Sequence, residues 1–411
     1  MSNTVHTHTF PNGLTLLAES MDFVRSAAVY FLIPAGCAHE APEDAGLASA
    51  LAEMLPRGAG DRDTEALMLA FDSLGIDHNE GPGLLNMFAS GSTVAKNLPQ
   101  ALDLFADVLL RPQLPKDDLP AVQSQLLQDL QSLDDSPQEQ VMLELQRRYY
   151  PSPLNADRYG TEETLKSLTV KKLRAFHQRL FRPNGTIISV AGRIDWPKLK
   201  DQVERLFGGW PVGEKHGLTI DPAHKPQSVH LTKDKQQTQI TFAFPSVSVT
   251  DPLYFAAKGT VGVLSSGMSS RLFTEVREKR GLCYSVYASH EAMKDRGTIV
   301  GYSGTRPERA QETLDVMLAE FNKLRDGVQQ DEIDRTKAGL KTSLIMQQES
   351  TSARAGAIAR DWYYLGRVRS FDEIQHEIDS LSPRSVMDYV DAFPFRDPTI
   401  VTLGPAELKR P

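Results

Sequence analysis

Cysteine is scarce in this chain: Cys37 and Cys283 are the only two among 411 residues. Two thiols so far apart make no disulfide framework, and their spacing fits no zinc-ribbon or redox motif, so both are expected as unpaired structural thiols. No run of about 18 apolar residues occurs, which excludes a bilayer-spanning helix and a membrane partner of that kind. The opening M-S-N-T-V-H-T-H-T-F has neither the basic stretch nor the apolar core of a secretory signal. A cytoplasmic location is therefore expected, or a periplasmic one for a chain whose signal has been trimmed. A basic stripe is also missing. The formal net charge is -8, and clusters such as Lys171-Lys172-Leu173-Arg174 alternate with acids as solvated helix faces. Without such a stripe nothing neutralises phosphates, and nucleic acid is excluded as a partner.

What is present is an ordinary globular composition, with 40% hydrophobic and 24% charged residues. A chain of this length exceeds what one hydrophobic core usually serves, so two domains are expected. The sequence is also written twice. Ser167-Leu168-Thr169 opens a helix ending in F-R-P-N-G-T-I-I-S-V-A-G, and Ser380-Leu381-Ser382 opens one ending in F-R-D-P-T-I-V-T-L-G, 213 positions later. The same offset relates Ser90-Gly91 to Ser303-Gly304, each closing a strand-like run before an amphipathic helix. The second of these helices reads as a capping box at Thr305 and Glu308, a stripe of Leu314, Met317, Leu318, Phe321 and Leu324, and a stop at Gly327. Its counterpart carries Leu98, Leu102, Phe105 and Leu109.

The Pro-, Gly- and charge-rich stretch 213–226 reads as a linker between an N-terminal domain, 1–212, and a C-terminal domain, 227–411. Each half mixes strands, such as Ser26–Ile33 and Thr238–Phe244, with runs of helices, which predicts α+β halves. Two similar halves can face each other across a cleft, where ligand sites tend to form.

In the first half a strand ending at Ile33 leads into P-A-G-C-A-H-E-A-P-E-D-A-G-L-A-S-A-L-A-E-M-L. This run resembles peptidase family M16, the pitrilysin, insulinase and mitochondrial-processing-peptidase group. There a strand and an A-G-x-x-x-E turn precede a helix reading G-L-A-H-x-L-E-H-M-L, the inverted zinc motif H-x-x-E-H. Histidines at i and i+4 share one helical face and hold zinc, while the intervening Glu serves as general base to the bound water. Here Ser49 stands at the first histidine, Ala52 at the base and Glu53 at the second histidine. The third ligand of the family, a Glu on a later helix, falls near Asp129. Sliding the register so that Glu53 becomes the base leaves Ala50 and Met54 at the ligand positions. A neutral Ser hydroxyl is a poor zinc ligand and Ala52 takes no proton, so no metal is expected in this chain. Glu53 and Asp129 alone would hold at best a weak, oxygen-preferring cation. His6 and His8 on a terminal strand, His39 in the turn, and the lone Glu373/His376 E-x-x-H are expected to be structural or surface groups.

The second half keeps its motif, V-G-V-L-S-S-G-M-S-S-R-L-F-T-E-V-R-E-K-R-G-L-C-Y-S-V-Y-A-S. The small-residue loop Ser265-Ser266-Gly267, followed by Met268, leads to a helix expected to be capped by Ser269 or Ser270. Leu272, Phe273 and Val276 form its apolar stripe, and Gly281 ends it. From Leu282 a strand pattern puts Leu282, Tyr284 and Val286 on one side. The run is similar to the second M16 signature, G-G-G-M-S-S-R-L-F-x-x-L-R-E-K-x-G-L-x-Y. In that family the Arg and the Tyr seven residues later reach the zinc site of the facing domain or subunit, where they hydrogen-bond the substrate backbone and the oxyanion. By match these are Arg277 and Tyr284, and a guanidinium and a phenol are suitable fixed donors. An Arg near a helix C-terminus also complements the helix dipole, and a strand Tyr is often core, so the surrounding match carries the assignment. The loop 265–268 resembles a shortened form of the family's substrate-binding glycine-rich loop; a plain helix-entry turn is the alternative.

The resemblance covers the whole chain. It implies two homologous α+β domains, each an antiparallel sheet with packed helices, the M16 and LuxS-metallohydrolase-like fold. It also implies a zinc-free subunit that pairs with a zinc-motif-containing M16 subunit around an unfolded peptide and is inactive alone, with a homodimer compatible when that partner is absent. A non-catalytic structural or peptide-holding homologue is the second expectation.

Overall fold

The computed structural model describes residues 4–214, 217–222 and 225–410. Six strands make the first sheet: β1 (Val5–Thr9), β2 (Thr15–Ser20), β3 (Ser26–Ile33), β4 (Asp77–Pro82), β5 (Met87–Val94) and β6 (Ile187–Gly192), in the order β1-β2-β6-β3-β5-β4. The second sheet contains β7 (Ser228–Thr232), β8 (Thr238–Ser246), β9 (Cys283–Ala292), β10 (Gly297–Thr305) and β11 (Thr399–Gly404), ordered β7-β11-β8-β10-β9. Apart from β1, the two orders are the same once β2, β6, β3, β5 and β4 are matched with β7, β11, β8, β10 and β9. The repeat read from the sequence is thus a repeat of topology.

Each sheet departs from the all-antiparallel expectation at one place, because β2 pairs with β6 and β7 with β11 in parallel. Parallel neighbours need a long crossover, and these partners are the early and late strands of their halves, with the intervening strands and helices between them.

The compact units are not the contiguous halves 1–212 and 227–411. One comprises the residues up to Ser132, Ser152–Asp221 and Gln347–Val368; the other comprises Leu133–Pro151, Pro222–Met346 and the residues from Arg369 on. The exchanged segments are equivalent helices of the repeat, Pro137–Tyr149 and Thr351–Leu365. The first packs on β8 and β11 and buries Val141 and Leu145 against Ala243, Val300, Val401 and Leu403. The second packs on β3 and β6, with Ile358 and Ala359 against Leu17, Leu32 and Ile187. It is also pinned by polar contacts. The Arg354 guanidinium, buried, donates from Nε and Nη2 to Glu19 Oε2 at 2.9 and 2.7 Å, and Ser189 Oγ donates to Ala355 O at 2.7 Å.

Both faces of each sheet are therefore covered, which explains why β6 and β11 are buried at every position and show no alternation. On the opposite faces lie the main cores, where the expected stripes are found: Leu102, Phe105 and Leu109 in one, Leu314, Met317 and Phe321 in the other. A side chain at Gly91 would meet the Phe105 ring at 2.7 Å, so this strand glycine permits close approach of helix and sheet.

The linker stretch 213–226 contains no helix or strand among its described residues, and 215–216 and 223–224 lie outside them. The capping box expected at Thr305 and Glu308 does not form. Thr305 ends β10 and its hydroxyl donates to Leu282 O at 2.5 Å, while the helix is entered through a 3-10 turn, Pro307–Arg309.

Candidate functional site

The degenerate motif lies on the helix Leu47–Met54, which follows Gly46 at φ +93° and has no side-chain cap of its own. Its free N–H groups are satisfied from upstream. Glu40, the acid of the A-G-x-x-x-E turn, accepts from Gly46 N at 3.0 Å and from Ala48 N at 2.5 Å. Burial, with Asp157 and Asp44 nearby and the two backbone bonds opposing, pushes its carboxyl up to about 8. The same burial raises the Cys37 thiol, leaving it an unpaired structural residue.

Ser49, at the first histidine position, is buried and its hydroxyl donates to Arg158 O at 2.6 Å. The carbonyl belongs to a loop the sequence reading did not single out. Tyr159 N bonds Asp157 Oδ1 at 2.9 Å and the Arg158 guanidinium lies 4.9 Å over the Tyr159 ring. Gly160, at φ +65°, would meet Ala45 O at 2.4 Å if it carried a Cβ. That glycine was the single local sign that a loop packs against the helix entry. Ala52 is buried and offers no donor, Glu53 is half-buried, and Asp129 is exposed on the neighbouring helix Leu119–Ser132. Among the described residues no group of three or more His, Cys, Asp or Glu side chains is placed to share a metal ion. The donor set at the family's zinc positions is one engaged hydroxyl and two carboxylates. It does not fit zinc.

The second motif is built differently from a plain helix and strand. Residues Phe273–Glu278 form a π-helix, with Lys279 N bonded to Thr274 O at 2.9 Å, and Gly281 follows at φ +58°. Widened turns of this kind are often found at functional sites. Neither expected cap forms: Ser270 Oγ donates to Gly267 O at 2.8 Å, and no side chain caps the segment. Arg271 fastens it instead, with Nε and Nη2 donating to Glu332 Oε1 and Oε2 at 2.7 and 2.8 Å.

The strand then carries an irregularity at Tyr284. Thr305 pairs with Cys283 and Gly304 with Ser285, so Tyr284 has no partner in β10. Cys283 and Val286 consequently both pack on one core although three positions apart, which strict alternation forbids. Bulges re-aim side chains. Leu282 is buried while Tyr284 is 80% exposed, so the expected common face of Leu282, Tyr284 and Val286 is broken at the bulge.

Arg277 sits between two rings, with its guanidinium carbon 4.8 Å from the Phe273 centroid and 5.0 Å from that of Tyr284. The nearby acid Glu275 is already taken by Lys279 at 2.6 Å and Arg280 at 2.7 Å. Among the described residues the Arg277 guanidinium has no hydrogen-bond or ion-pair partner. The geometry is thus a cation held by π faces with its N–H groups available, beside an exposed phenol.

The loop before it divides by role. Ser265 Oγ accepts from Ala288 N at 3.0 Å and joins the helix Tyr254–Ser265 to β9. Ser266 and Gly267 are exposed, Gly267 at φ +85° with open space around it, and Met268 is 77% exposed. His6 stacks on Trp196 at 5.0 Å, and His39 closes a 3-10 turn.

Known proteins share this architecture throughout. The chain superposes on a crystal structure described as a peptidase M16 inactive domain from Pseudomonas fluorescens with a TM-score of 0.90, 24% identity and 99% coverage of both chains. A protease from Helicobacter pylori matches with a TM-score of 0.89 and 19% identity over 98% of this chain and 100% of that one. The class is therefore the two-domain fold of the M16 peptidases. The sequence agrees with the fold: the family model "Insulinase (Peptidase family M16)" matches residues 15–162 and "Peptidase M16 inactive domain" matches residues 167–340. This chain belongs to peptidase family M16. Its relatives include an uncharacterized zinc protease of Bacillus subtilis, YmxG, 28% identical over 91% of this chain and 92% of that protein. Another, of Streptomyces coelicolor, is 27% identical over 99% and 91%. No helix among the described residues is long and apolar enough to cross a membrane.

Proposed function

We propose that this chain is the zinc-free, substrate-binding subunit of a heterodimeric M16 metalloendopeptidase. In this reading Arg277 and Tyr284 act in trans, donating hydrogen bonds to the backbone and developing oxyanion of a peptide held at the active site of a partner. That partner carries an intact H-x-x-E-H and supplies the zinc and the general base; the complex works on unfolded peptides in the cytoplasm. One observation carries the reading. The Arg277 guanidinium is held between Phe273 and Tyr284 without a hydrogen-bonding partner among the described residues, while Tyr284 is 80% exposed. Donors fixed in place and unspent are what transition-state stabilisation requires. Loss of the base at Ala52 beside retention of these donors supports a divided site rather than an autonomous one.

The test is to mix the purified chain with a chain that carries H-x-x-E-H and is encoded beside it, and to follow complex formation and cleavage of an unfolded peptide. A stable complex that cleaves faster than the partner alone is expected. Absence of both complex and gain contradicts the proposal. A complex with no gain in cleavage instead supports the non-catalytic, peptide-holding alternative.

A further inference from the structure

We propose that a cavity of about 190 Å³ in the second unit binds a small organic cation, an alkylammonium or guanidinium group of side-chain size, held by Glu291 against Tyr149 and Tyr150. The cavity lies under the exchanged helix Pro137–Tyr149, with β8, β9 and β10 forming its other wall. The site is separate from the Arg277/Tyr284 pair and does not rest on the reading given for it.

Size comes first. Pockets for drug-sized ligands occupy roughly 300–1,000 Å³, so this one suits a single side chain or a short amine. Its chemistry is that of a cation. Tyr149 and Tyr150 meet edge to face with centroids 5.0 Å apart and contribute π surface. The buried Tyr150 hydroxyl and Thr298 Oγ1 satisfy each other at 2.8 Å, so these hydroxyls do not call for an anion. Glu291 is the cross-strand partner of Thr298 and stands at the rim of the same wall. Glu139 adds a second carboxylate to the lining.

The Glu291 carboxylate is exposed at the mouth of the cavity and has no hydrogen-bond or ion-pair partner among the described residues. Arg296, whose charge reaches both tyrosines, is taken up by Asp295 at 2.8 Å. A ligand cation would pair with Glu291 through a charge-assisted hydrogen bond at the mouth while its carbon chain fills the apolar part beside Met142 and Val300.

The group can come from a free amine or from a Lys or Arg side chain of a bound peptide, and the experiment separates the two. The full-length chain is titrated by calorimetry with n-butylammonium, with n-butylguanidinium and with a capped Gly-Gly-Lys-Gly-Gly peptide. The neutral counterparts n-butanol and the norleucine peptide serve as controls. Saturable binding of at least one cationic probe, with its neutral counterpart weaker, is expected, and Glu291→Gln should weaken it roughly two- to fivefold. Glu291 is exposed on an edge strand, so this isosteric change leaves the fold intact, checked by an unchanged melting temperature. Tyr149→Leu, which removes one π face, should weaken binding as well. Preference for the amines identifies a free metabolite cation; preference for the lysine peptide identifies a peptide subsite. Failure of every cation to bind, equal binding of the neutral counterparts, or unchanged affinity in Glu291→Gln overturns the proposal.

Discussion

The Ser49 hydroxyl donates to the carbonyl of Arg158 at 2.6 Å, so the position that holds the first zinc ligand in the family's motif is committed to a structural bond. Replacing Ser49 by Ala removes this part-buried hydrogen bond. A loss of about 1–2 kcal/mol in unfolding free energy is expected, measured by urea titration. Ser49→His alone should cost more, about 1–3 kcal/mol from overpacking. It should leave zinc content at background in elemental analysis, because Glu53 still stands in place of the second imidazole and Asp129 is exposed on the neighbouring helix.

Glu40 makes stability depend on pH. Its folded carboxyl, pushed up to about 8 from an ordinary value of 4.5, binds its proton more tightly in the folded state than in the unfolded chain. The stabilisation is therefore complete below about pH 4.5 and is lost as pH rises through 8. Melting temperature at constant ionic strength should decline across that window on account of this group. Glu40→Gln should flatten that component; an unchanged slope in the variant would show that Glu40 does not set it.

The exchanged helix Thr351–Leu365 depends on Arg354 and Glu19. Arg354→Met takes the guanidinium away from the buried Glu19 carboxylate and should cost about 3–5 kcal/mol, whereas the double change Glu19→Met with Arg354→Met should recover most of the loss. Urea unfolding of the two variants followed by intrinsic fluorescence checks this. Equal destabilisation by the single and double changes would mean that packing of Ile358 and Ala359, not the charge pair, anchors the helix.

Much of this architecture was legible in the sequence, because the 213-residue offset is carried by local signals: Thr169 and Ser382 do cap helices, and β3 has the bounds its alternation predicts. The exchange of equivalent helices was not. Pro137–Tyr149 and Thr351–Leu365 are amphipathic like their neighbours, and which sheet receives each depends on contacts distant in sequence. Arg354, the clearest mark of that docking, reads as an ordinary helix charge until Glu19 is seen beside it.

In the site, residue identities were legible but their settings were not. Alternation put Tyr284 with Leu282, and one unpaired residue opposite Gly304 and Thr305 reversed the outcome by turning the phenol outward. Serine caps at 269 and 270 are reasonable before an α-helix, yet the chain enters a π-turn and uses Arg271 with Glu332 to fix it. The role of Ser265 as a bond to Ala288 depends on a helix and a strand 23 residues apart and leaves no local trace.

The measurement that bears most directly on the central claim is the turnover of the reconstituted mixture with Tyr284→Phe. Removing one donor aimed at a developing oxyanion should lower kcat roughly a hundredfold or more, with complex affinity and KM for the peptide little changed. Full turnover with Tyr284→Phe, in a complex of normal affinity, would contradict the assignment of this residue to the partner's active site.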